Sequence, residues 1–454
     1  MGQPTHALKE ETTAMKTRAS LTIAGLTVLA VTAAGCSGSS SGSGDADGPV
    51  EIEFWASQQA PSIALTEEAL QPVLDAFEEE SGIHVKLEVV DWANLTNRTL
   101  TAASTGVGPD VINIGNSNAT TFQATGAFLP FGDEELEAIG GSERFVPASF
   151  ATGGAEGQPP TSIPYIGYVY GLYYNKNILA EAGVEPPTSW EELTEVAQQV
   201  TDPDNGVWGL SIPGGMTQTN MHMAFILGTQ DGGAPFDSEG SPTFTDPGLV
   251  DGIQRYIDLI GSLGVVNPAD AQNTDTQQPM ANFVDGKSAM LMGQNDVERA
   301  LRERGLTPDD YGIVPIPTPI PLPSGGEDIS SFVGGINISI FKNTEHKEAA
   351  LEFVKYITSP EAQEIIDVPF GALPVNTDGV ITYTDNPVAI ETFSEILANR
   401  VTTFPRIPTF AGFTANVGGA VTQLVAQAAT TGSVSRDDIV DALQEAQEQF
   451  EATN

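Results

Sequence analysis

From Val50 onward, stretches with the periodicity of a strand alternate with stretches with the periodicity of a helix. Val50, Ile52 and Phe54 fall on one face of the first stretch, which predicts a strand. The following helix is predicted to begin with Thr66 as its cap and to stop at Gly82. The pattern continues as strand, helix, strand and helix over 83–90, 93–104, 110–114 and 118–126. This order predicts an α/β protein with a mainly parallel sheet.

The same alternation extends to the end of the chain. Further strands are predicted at Gly167–Asn175, Ser288–Met292, Tyr311–Val314 and Gly335–Phe341. Further helices are predicted to end at Gly183, to begin at Trp190, and to span Pro247–Leu263, Glu345–Ile357, Pro360–Ile366, Phe413–Thr430 and Asp437–Phe450. Because 454 residues are too many for one ordinary core, two lobes are expected.

The amino-terminal stretch has the layout of a secretion signal. Lys16 and Arg18 precede an apolar run that ends in small residues, so residues 1–35 are predicted to be a signal peptide. The residues before Met15 carry mixed charge, and Met15 is a candidate for the true start. No apolar run beyond residue 40 is long enough to span a bilayer.

Cys36 is the only cysteine of the chain, which excludes a disulfide within it. It could be a buried hydrophobe, a nucleophile, a metal ligand or an attachment point. The segment Ala33-Ala34-Gly35-Cys36 resembles a bacterial lipobox, which implies acylation of Cys36. Residues 36–49 are rich in serine and glycine and predict a flexible linker. The protein is therefore expected outside the cytoplasm, anchored to the cell membrane as a lipoprotein.

Composition and motifs exclude several classes of function. The chain has 60 Asp and Glu against 18 Lys and Arg, a formal charge of −42, which argues against binding to nucleic acid. The four histidines are scattered and none has a second ligand at the spacing of a metal site. The sequence "GKS" at 286–288 lacks the glycine that a phosphate-binding loop needs at position 281. No enzyme, metal or cofactor is predicted.

An ordered series of segments resembles the family 1 extracellular solute-binding proteins, which include the maltose-binding proteins and serve ABC importers. The most specific segment is "GLYYNKNILAEAGVEPPTSWEEL" at 171–193. The others are "IEFW", "FEEESGIHV", "GPDVINIG", "FVDGKSAMLMG", "YGIVPIPTP", "GGINISIFKNTEHKEAALEFVKYITSPEAQ" and "GALPVN". The resemblance covers nearly all of residues 50–450.

The resemblance implies a two-lobed periplasmic-binding-protein-like fold of type II, with a ligand cleft between lobes joined by a hinge. Residues 50–165 and 287–335 are assigned to an N-terminal lobe, and 166–286 and 336–454 to a C-terminal lobe. The implied ligand is a carbohydrate, a di- or oligosaccharide. The implied partners are the permease subunits of the importer, and the protein is expected to act as a monomer.

The candidate ligand contacts are polar and aromatic residues at the ends of predicted strands, since ligands of α/β sheets lie beyond the carboxyl ends of strands. The resemblance places family ligand contacts near Ser57, Gln58, Asn116 and Ser117, and at Tyr168 and Phe413. The full candidate set is Trp55, Ser57, Gln58, Asp91, Asn116, Ser117, Tyr165, Tyr168, Asn295, Arg406 and Phe413.

Several candidates have a structural alternative. Trp55 could cap the core, Asp91 could cap the following helix, and Arg406 could pair with a carboxylate in this acidic chain. Asn295 stands where many members of the family have a tryptophan, so a stacking platform is missing at that position.

Three other functions stay open beside the carbohydrate receptor of an importer. One is a secreted glycosidase, which needs two carboxylates at a fixed separation, and the sequence nominates no such pair. Another is a receptor for a solute that is not a sugar. The last is a receptor that serves as a sensor or adhesin without a permease.

Overall fold

The computed structural model describes residues 50–453. The predicted signal peptide, Met15, Cys36 and the predicted linker 36–49 lie outside the described residues. The strands are β1 (Glu51–Ser57), β2 (His84–Val90), β3 (Val111–Gly115), β4 (Ile163–Tyr168), β5 (Tyr170–Asn175), β6 (Trp208–Ser211), β7 (Ser288–Gln294), β8 (Tyr311–Val314), β9 (Ser331–Phe332), β10 (Gly334–Ile340) and β11 (Val401–Thr402).

Helices separate most of these strands, and the predicted α/β class is confirmed. The helices of the first half are α1 (Ile63–Ser81), α2 (Trp92–Thr105), α3 (Ala119–Ala124), α4 (Asp133–Ala138), α5 (Pro147–Phe150), α6 (Lys176–Ala182), α7 (Trp190–Val200) and α8 (Thr217–Gln230). Those of the second half are α9 (Pro247–Ile260), α10 (Gln277–Val284), α11 (Asp296–Glu303), α12 (Lys347–Ile357), α13 (Pro360–Phe370), α14 (Pro387–Asn399), α15 (Phe410–Phe413), α16 (Gly419–Thr431) and α17 (Arg436–Thr453).

Two separate sheets define two lobes. The first sheet has the order β2-β1-β3-β10-β4, in which β1, β2 and β3 are parallel and β10 runs antiparallel to both β3 and β4. The second sheet has the order β6-β7-β5-β8, in which β6 and β7 are parallel and β5 is antiparallel to β7 and β8. A short parallel pair of β9 and β11 completes the strands.

Each sheet has an apolar core on both faces, because successive side chains of a strand point to opposite sides. In β1, Phe54 packs against Phe353 of α12 with ring centroids 5.2 Å apart, whereas Trp55 packs against the cluster that contains Ile112. In β5, Leu172 and Tyr173 enter the two different cores of the second sheet in the same way. Both lobes are therefore sheets covered by helices on two sides.

The chain passes between sheets at single residues. Val169 joins β4 of the first sheet to β5 of the second, and Val333 joins β9, of the short pair with β11, to β10 of the first sheet. The predicted strand Gly167–Asn175 is thus two strands in different sheets. Because nearly all residues of β4 and β5 are buried, the local pattern carries no sign of the break.

The predicted division of the chain between the lobes is wrong in two segments. β7 lies in the segment 287–335 that was assigned to the N-terminal lobe, but it pairs with β5 and β6 of the second sheet. β10 lies almost wholly in the segment 336–454 that was assigned to the C-terminal lobe, but it pairs with β3 and β4 of the first sheet. Strand pairing is a contact between distant segments, which the pattern of a single buried strand does not encode.

Helix α1 begins earlier than predicted. Ser62 is the cap, since its hydroxyl accepts a hydrogen bond from the Leu65 amide at 3.2 Å. Thr66 lies inside the first turn and accepts from the Ala60 amide at 3.0 Å. Gly82 ends the helix as predicted, with φ of 73°. Within residues 50–453, no helix is both long enough and apolar enough to cross a membrane.

Candidate functional site

The crossovers position the strand ends of both lobes. The side-chain amide of Asn116, directly after β3, donates to the carbonyl of Val333 at 2.9 Å. Asn295, directly after β7, donates from its backbone amide to the Val169 carbonyl at 3.1 Å and accepts at Oδ1 from the Val169 amide at 2.8 Å. The carboxyl ends of β3 and β7 therefore both lie at the crossover side of their sheets, where a ligand of an α/β protein is expected.

One pocket lies at the first lobe and is lined on its other side by the segment 403–406; we call it the hinge pocket. It is a small cavity of about 20 Å³ and is rich in hydroxyl groups. Thr120 donates to the carbonyl of Ile407 at 2.7 Å, which joins α3 to that segment. The lining residues are Asn116, Ser117, Thr120, Thr152, Val333, Thr403, Phe404, Pro405 and Arg406.

A larger pocket, the second-lobe pocket, lies at the ends of β6 and β7 and has a cavity volume of about 200 Å³. Most of its wall is apolar, and hydroxyl, amide and carboxyl groups interrupt the wall. The lining residues are Tyr170, Pro213, Met216, Thr219, Thr276, Pro279, Met280, Leu291, Met292, Gly293, Gln294, Asp296 and Val297. This mixture can contact both the C–H face and the hydroxyl groups of a sugar.

Aromatic rings connect the two pockets. Tyr170 of the second-lobe pocket lies 5.9 Å from Phe332, and Phe332 lies 4.1 Å from Phe404 of the hinge pocket. His222 lies among these rings, and its Nδ1 is 2.8 Å from the Tyr170 hydroxyl. Burial lowers the pKa of His222 to about 3, so the imidazole is neutral at physiological pH. The cluster therefore adds neutral aromatic groups to the site and no cation.

Asp296 supplies the carboxyl group of the second-lobe pocket. Burial raises the pKa of Asp296 to about 6, against the opposing effect of nearby Arg299 and of the backbone amides at the start of α11. The carboxyl group is therefore mainly ionised at neutral pH and becomes protonated in mildly acidic solution.

The structure brings four of the predicted residues together at the ends of β1 and β3. Asn116 and Ser117 line the hinge pocket. Ser57 is fully buried; its amide donates to Asn113 at 2.6 Å and its hydroxyl accepts from Gln59 at 2.7 Å. The Gln58 side-chain amide donates to the Ala60 carbonyl at 3.2 Å. Ser57 therefore supports the loop that carries Gln58.

Trp55 and Asp91 have the structural contacts that were their alternatives. The Trp55 ring lies 4.1 Å beneath the guanidinium of Arg98 and packs against a core of the first lobe. Asp91 caps α2 and accepts from the Asn94 amide at 3.2 Å. Hydrogen bonds from Asn94 lower the pKa of Asp91. Neither residue lines either of the two pockets.

The prediction for Tyr165 and Tyr168 needs correction. Tyr165 is fully buried in a core of the first lobe, and its hydroxyl has no hydrogen-bond partner within residues 50–453. Tyr168 is 9% exposed in the same core, with its hydroxyl 3.4 Å from the Phe370 carbonyl. Burial raises the pKa of both tyrosines. Strand β4 lies next to β10 in the first sheet and is buried along its whole length, which explains the packing.

Asn295 and Phe413 are also buried. The Asn295 side-chain amide donates to the Gly371 carbonyl at 2.6 Å in addition to its bonds with Val169, so both ends of its amide group are bonded to the backbone. Phe413 packs in a cluster of phenylalanines with Phe236 and Phe244 at 6.1 and 5.6 Å. The structure assigns the pocket-lining position after β7 to Asp296, one residue beyond the prediction.

Arg406 lines the hinge pocket and is also partnered. Its guanidinium lies 3.3 Å from a carboxylate oxygen of Glu156 and 3.3 Å from the carbonyl of Ala151. Arg406 therefore pairs with a carboxylate, which was its structural alternative, and part of its side chain still lines the hinge pocket.

Sequence reasoning missed the contribution of the start of α8. Thr219 and His222 lie in α8 and Met216 directly precedes it; because most residues of this helix are buried, its sequence has no helical period to detect. Gln294 and Asp296 belong to the same polar run as Asn295, and only the side-chain directions separate them. Among residues 50–453, no three His, Cys, Asp or Glu side chains are arranged to hold a metal ion.

This chain is similar in sequence to named proteins over part of its length. It is 28% identical over 262 residues to the putative ABC transporter periplasmic-binding protein YcjN of Escherichia coli, which covers 56% of this chain and 57% of that protein. It is 24% identical over 291 residues to the maltotriose-binding protein of Pyrococcus abyssi, which covers 62% and 58% of the two chains. The chain thus spans less than two thirds of the length of these relatives.

A solved structure matches over a larger share. The ABC substrate-binding protein Lmo0181 of Listeria monocytogenes, in complex with cycloalternan, superimposes with a TM-score of 0.74 at 18% identity and covers 89% of this chain and 99% of that one. The chain therefore has the two-lobed type II fold of solute-binding proteins. The family model of the bacterial extracellular solute-binding proteins matches residues 62–364, more than half of the sequence. The order of strands, the two crossovers and this match agree, and the chain belongs to the bacterial extracellular solute-binding protein family.

Proposed function

We propose that this protein is the receptor of an ABC importer, which captures a di- or oligosaccharide between its lobes and delivers it to a membrane permease. The observation that carries the proposal is the pair of pockets at the crossover side of the two sheets. Hydroxyl and amide groups of the hinge pocket and the mainly apolar wall of the second-lobe pocket suit the two kinds of surface that a sugar presents.

The relatives support the carbohydrate class. One bears the name of a maltotriose-binding protein, and one matching structure holds cycloalternan. Two-lobed binding proteins close on their ligand by hinge bending, and the single-residue crossovers at Val169 and Val333 are suitable hinges.

We also propose that Cys36 carries the membrane anchor. The cysteine follows the predicted signal peptide and precedes the serine- and glycine-rich segment predicted as a linker, whose composition would let the lobes remain close to the membrane surface. A single acyl chain gives only marginal membrane binding, so stable anchoring requires more than one chain on this residue.

Calorimetric titration of the purified protein tests the proposed function. The panel contains maltotriose, mannotriose and glucose, with arginine, spermidine and glucose 6-phosphate as ligands of other classes. We expect saturable binding of at least one oligosaccharide and its recovery intact by chromatography. Gln294→Ala, in the second-lobe pocket, should weaken binding about fivefold, the loss of one hydrogen bond.

The matched control is Gln427→Ala, which removes an exposed glutamine of α16 and should leave the affinity unchanged. Binding of only a non-sugar ligand would refute the carbohydrate class. Cleavage of the oligosaccharide during incubation would instead identify a glycosidase.

A further inference from the structure

The segment 403–409, which follows β11 and leads into α15, lies between the two lobes; we call it the strap. Its start is fixed near a passage between sheets, because the Val333 amide donates to the carbonyl of Thr402 at 2.8 Å. Pro405 and Pro408 restrict its backbone and remove two amide donors. Pro408 comes six residues after Thr402 and can lie up to about 20 Å from this point. The far end of the strap is therefore free to move when the lobes turn about Val333.

The apolar side chains of the strap pack on the second lobe. The ring of Phe404 lies 4.7 Å from the ring of Phe225 in α8 and 4.7 Å from that of Phe410 in α15. Ile407 packs against the same core of the second lobe. Because these contacts are apolar and mostly buried, the strap should move with the second lobe when the lobes separate.

The backbone carbonyls of the strap are bonded to the first lobe. The hydroxyl of Thr120 donates to the carbonyl of Ile407 at 2.7 Å, and the hydroxyl of Thr121 donates to the carbonyl of Pro408 at 2.6 Å. Both threonines lie in α3, which packs against strands of the first sheet. Two hydroxyl groups of the first lobe thus bond to a segment that packs on the second lobe.

Arg406 adds a weaker contact between the lobes. Its guanidinium donates to the carbonyl of Ala151 at 3.3 Å and lies 3.3 Å from a carboxylate oxygen of Glu156. The Glu156 side chain is 84% exposed, so this ion pair contributes little free energy. The two threonine bonds are shorter and should contribute more. Thr121 and Glu156 line neither pocket, so either can be changed without altering a pocket wall.

We infer that the strap is a latch between the lobes, whose hydrogen bonds with Thr120 and Thr121 form when the lobes close and break when they open. This inference rests on the proposed function and assigns to the two threonines the control of how long a bound sugar is held. A contact made only in the closed arrangement slows release of the ligand. It leaves capture unchanged, because the ligand enters the open arrangement.

Stopped-flow kinetics with maltotriose and mannotriose test the latch. Thr121→Val keeps the shape of the side chain and removes the hydroxyl. Dissociation should become about fivefold faster, the loss of one hydrogen bond, at an unchanged association rate. Glu156→Gln should change the dissociation rate by less than about twofold, because its ion pair is exposed.

The matched control is Thr101→Val, which removes an exposed hydroxyl that donates to the Asn97 carbonyl within α2. Both of its rates should equal those of the unmodified protein. Small-angle X-ray scattering of the ligand-free protein tests the latch without a sugar. Thr121→Val should have a larger radius of gyration than the unmodified protein and Thr101→Val, because its lobes separate more often.

Equal dissociation rates in Thr121→Val and the unmodified protein would overturn the latch and leave the proposed function intact. A slower association in Thr121→Val would show damage to the binding site and would overturn the latch as well. If neither trisaccharide binds, the proposed function fails, and the scattering comparison alone decides about the strap. Equal radii would then overturn the latch, and a larger radius in Thr121→Val would support it.

Discussion

At the scale of single residues, hydrogen-bond partners distinguish a structural side chain from one that is available to a ligand. Asn295 and Asp296 are neighbours, yet every polar group of the Asn295 side chain is bonded to the backbone, whereas Asp296 lines a pocket. Tyr165 is a different case, because its hydroxyl is buried without a partner within residues 50–453 and lies near the equally unpartnered carboxyl group of Asp367. A buried polar group without a partner costs free energy and adds none to binding.

Tyr165→Phe should therefore leave sugar affinity unchanged within about twofold. Its free energy of unfolding should stay the same or rise by up to about 1 kcal/mol, since the variant removes a desolvated hydroxyl group. Urea unfolding and sugar titration measure the two quantities.

Tyr173→Phe is the matched control: it removes a hydroxyl that donates to the Gln294 carbonyl at 2.8 Å and accepts from the Glu298 amide at 3.2 Å. This control should lose about 1–2 kcal/mol of stability. An equal loss in Tyr165→Phe, or a weaker affinity, would contradict the structural role of Tyr165.

At the scale of elements, the ends of helices are encoded locally and the buried helices are not. Ser62 and Gly82 bound α1 through contacts within a few residues, and Gly183 ends α6 as predicted, with φ of 70°. Helix α8 has eleven buried residues among fourteen and no side-chain cap, so neither periodicity nor capping indicates it in the sequence. Packing against α9 and α16 on several sides explains why it is helical despite the missing pattern.

Two glycines of opposite conformation test this local encoding. Gly82 has φ of 73° and no atom within 4 Å of an added Cβ, so Gly82→Ala should cost about 1 kcal/mol through backbone strain alone. Gly419 lies in a helix with φ of −63° and equally open space, so Gly419→Ala should raise the free energy of unfolding by up to about 1 kcal/mol. Thermal or urea unfolding of the two variants gives the comparison. Changes of the same sign in both would show that helix propensity does not govern these ends.

At the scale of the whole molecule, two sheets share one chain through crossovers that bring distant segments together. The fold places β10, α12 and α13 with the first sheet, although more than 150 residues separate them from β4. The chain also returns from the first lobe to the second between α13 and α14. In this segment Leu373 and Phe393 belong to one core. The hinge pocket combines residues that follow β3 with the distant segment 403–406, and the second-lobe pocket combines the ends of β6 and β7 with Tyr170 of β5.

The location of the whole molecule is tested at Cys36. Expressed in a bacterium that processes lipoproteins, the full chain should fractionate with membranes and enter the detergent phase of a two-phase extraction. Cys36→Ala should shift the protein to the aqueous phase and leave sugar affinity unchanged, because every residue that lines the two pockets lies at position 116 or beyond. Ser37→Ala is the matched control and should remain in the detergent phase. An unmodified protein that stays in the aqueous phase would refute the anchor.

By itself, the sequence determined the α/β class, the ends of helices such as Gly82 and Gly183, and the family resemblance, because periodicity, capping and motifs are properties of neighbouring residues. Only the tertiary structure decided that β7 belongs to the second sheet and β10 to the first, and that Tyr165 and Phe413 are core residues. It also decided that Asp296, not Asn295, lines the pocket. Strand pairing and side-chain direction depend on contacts between segments far apart in the chain. The sequence pattern of a buried apolar strand is the same whichever sheet the strand joins.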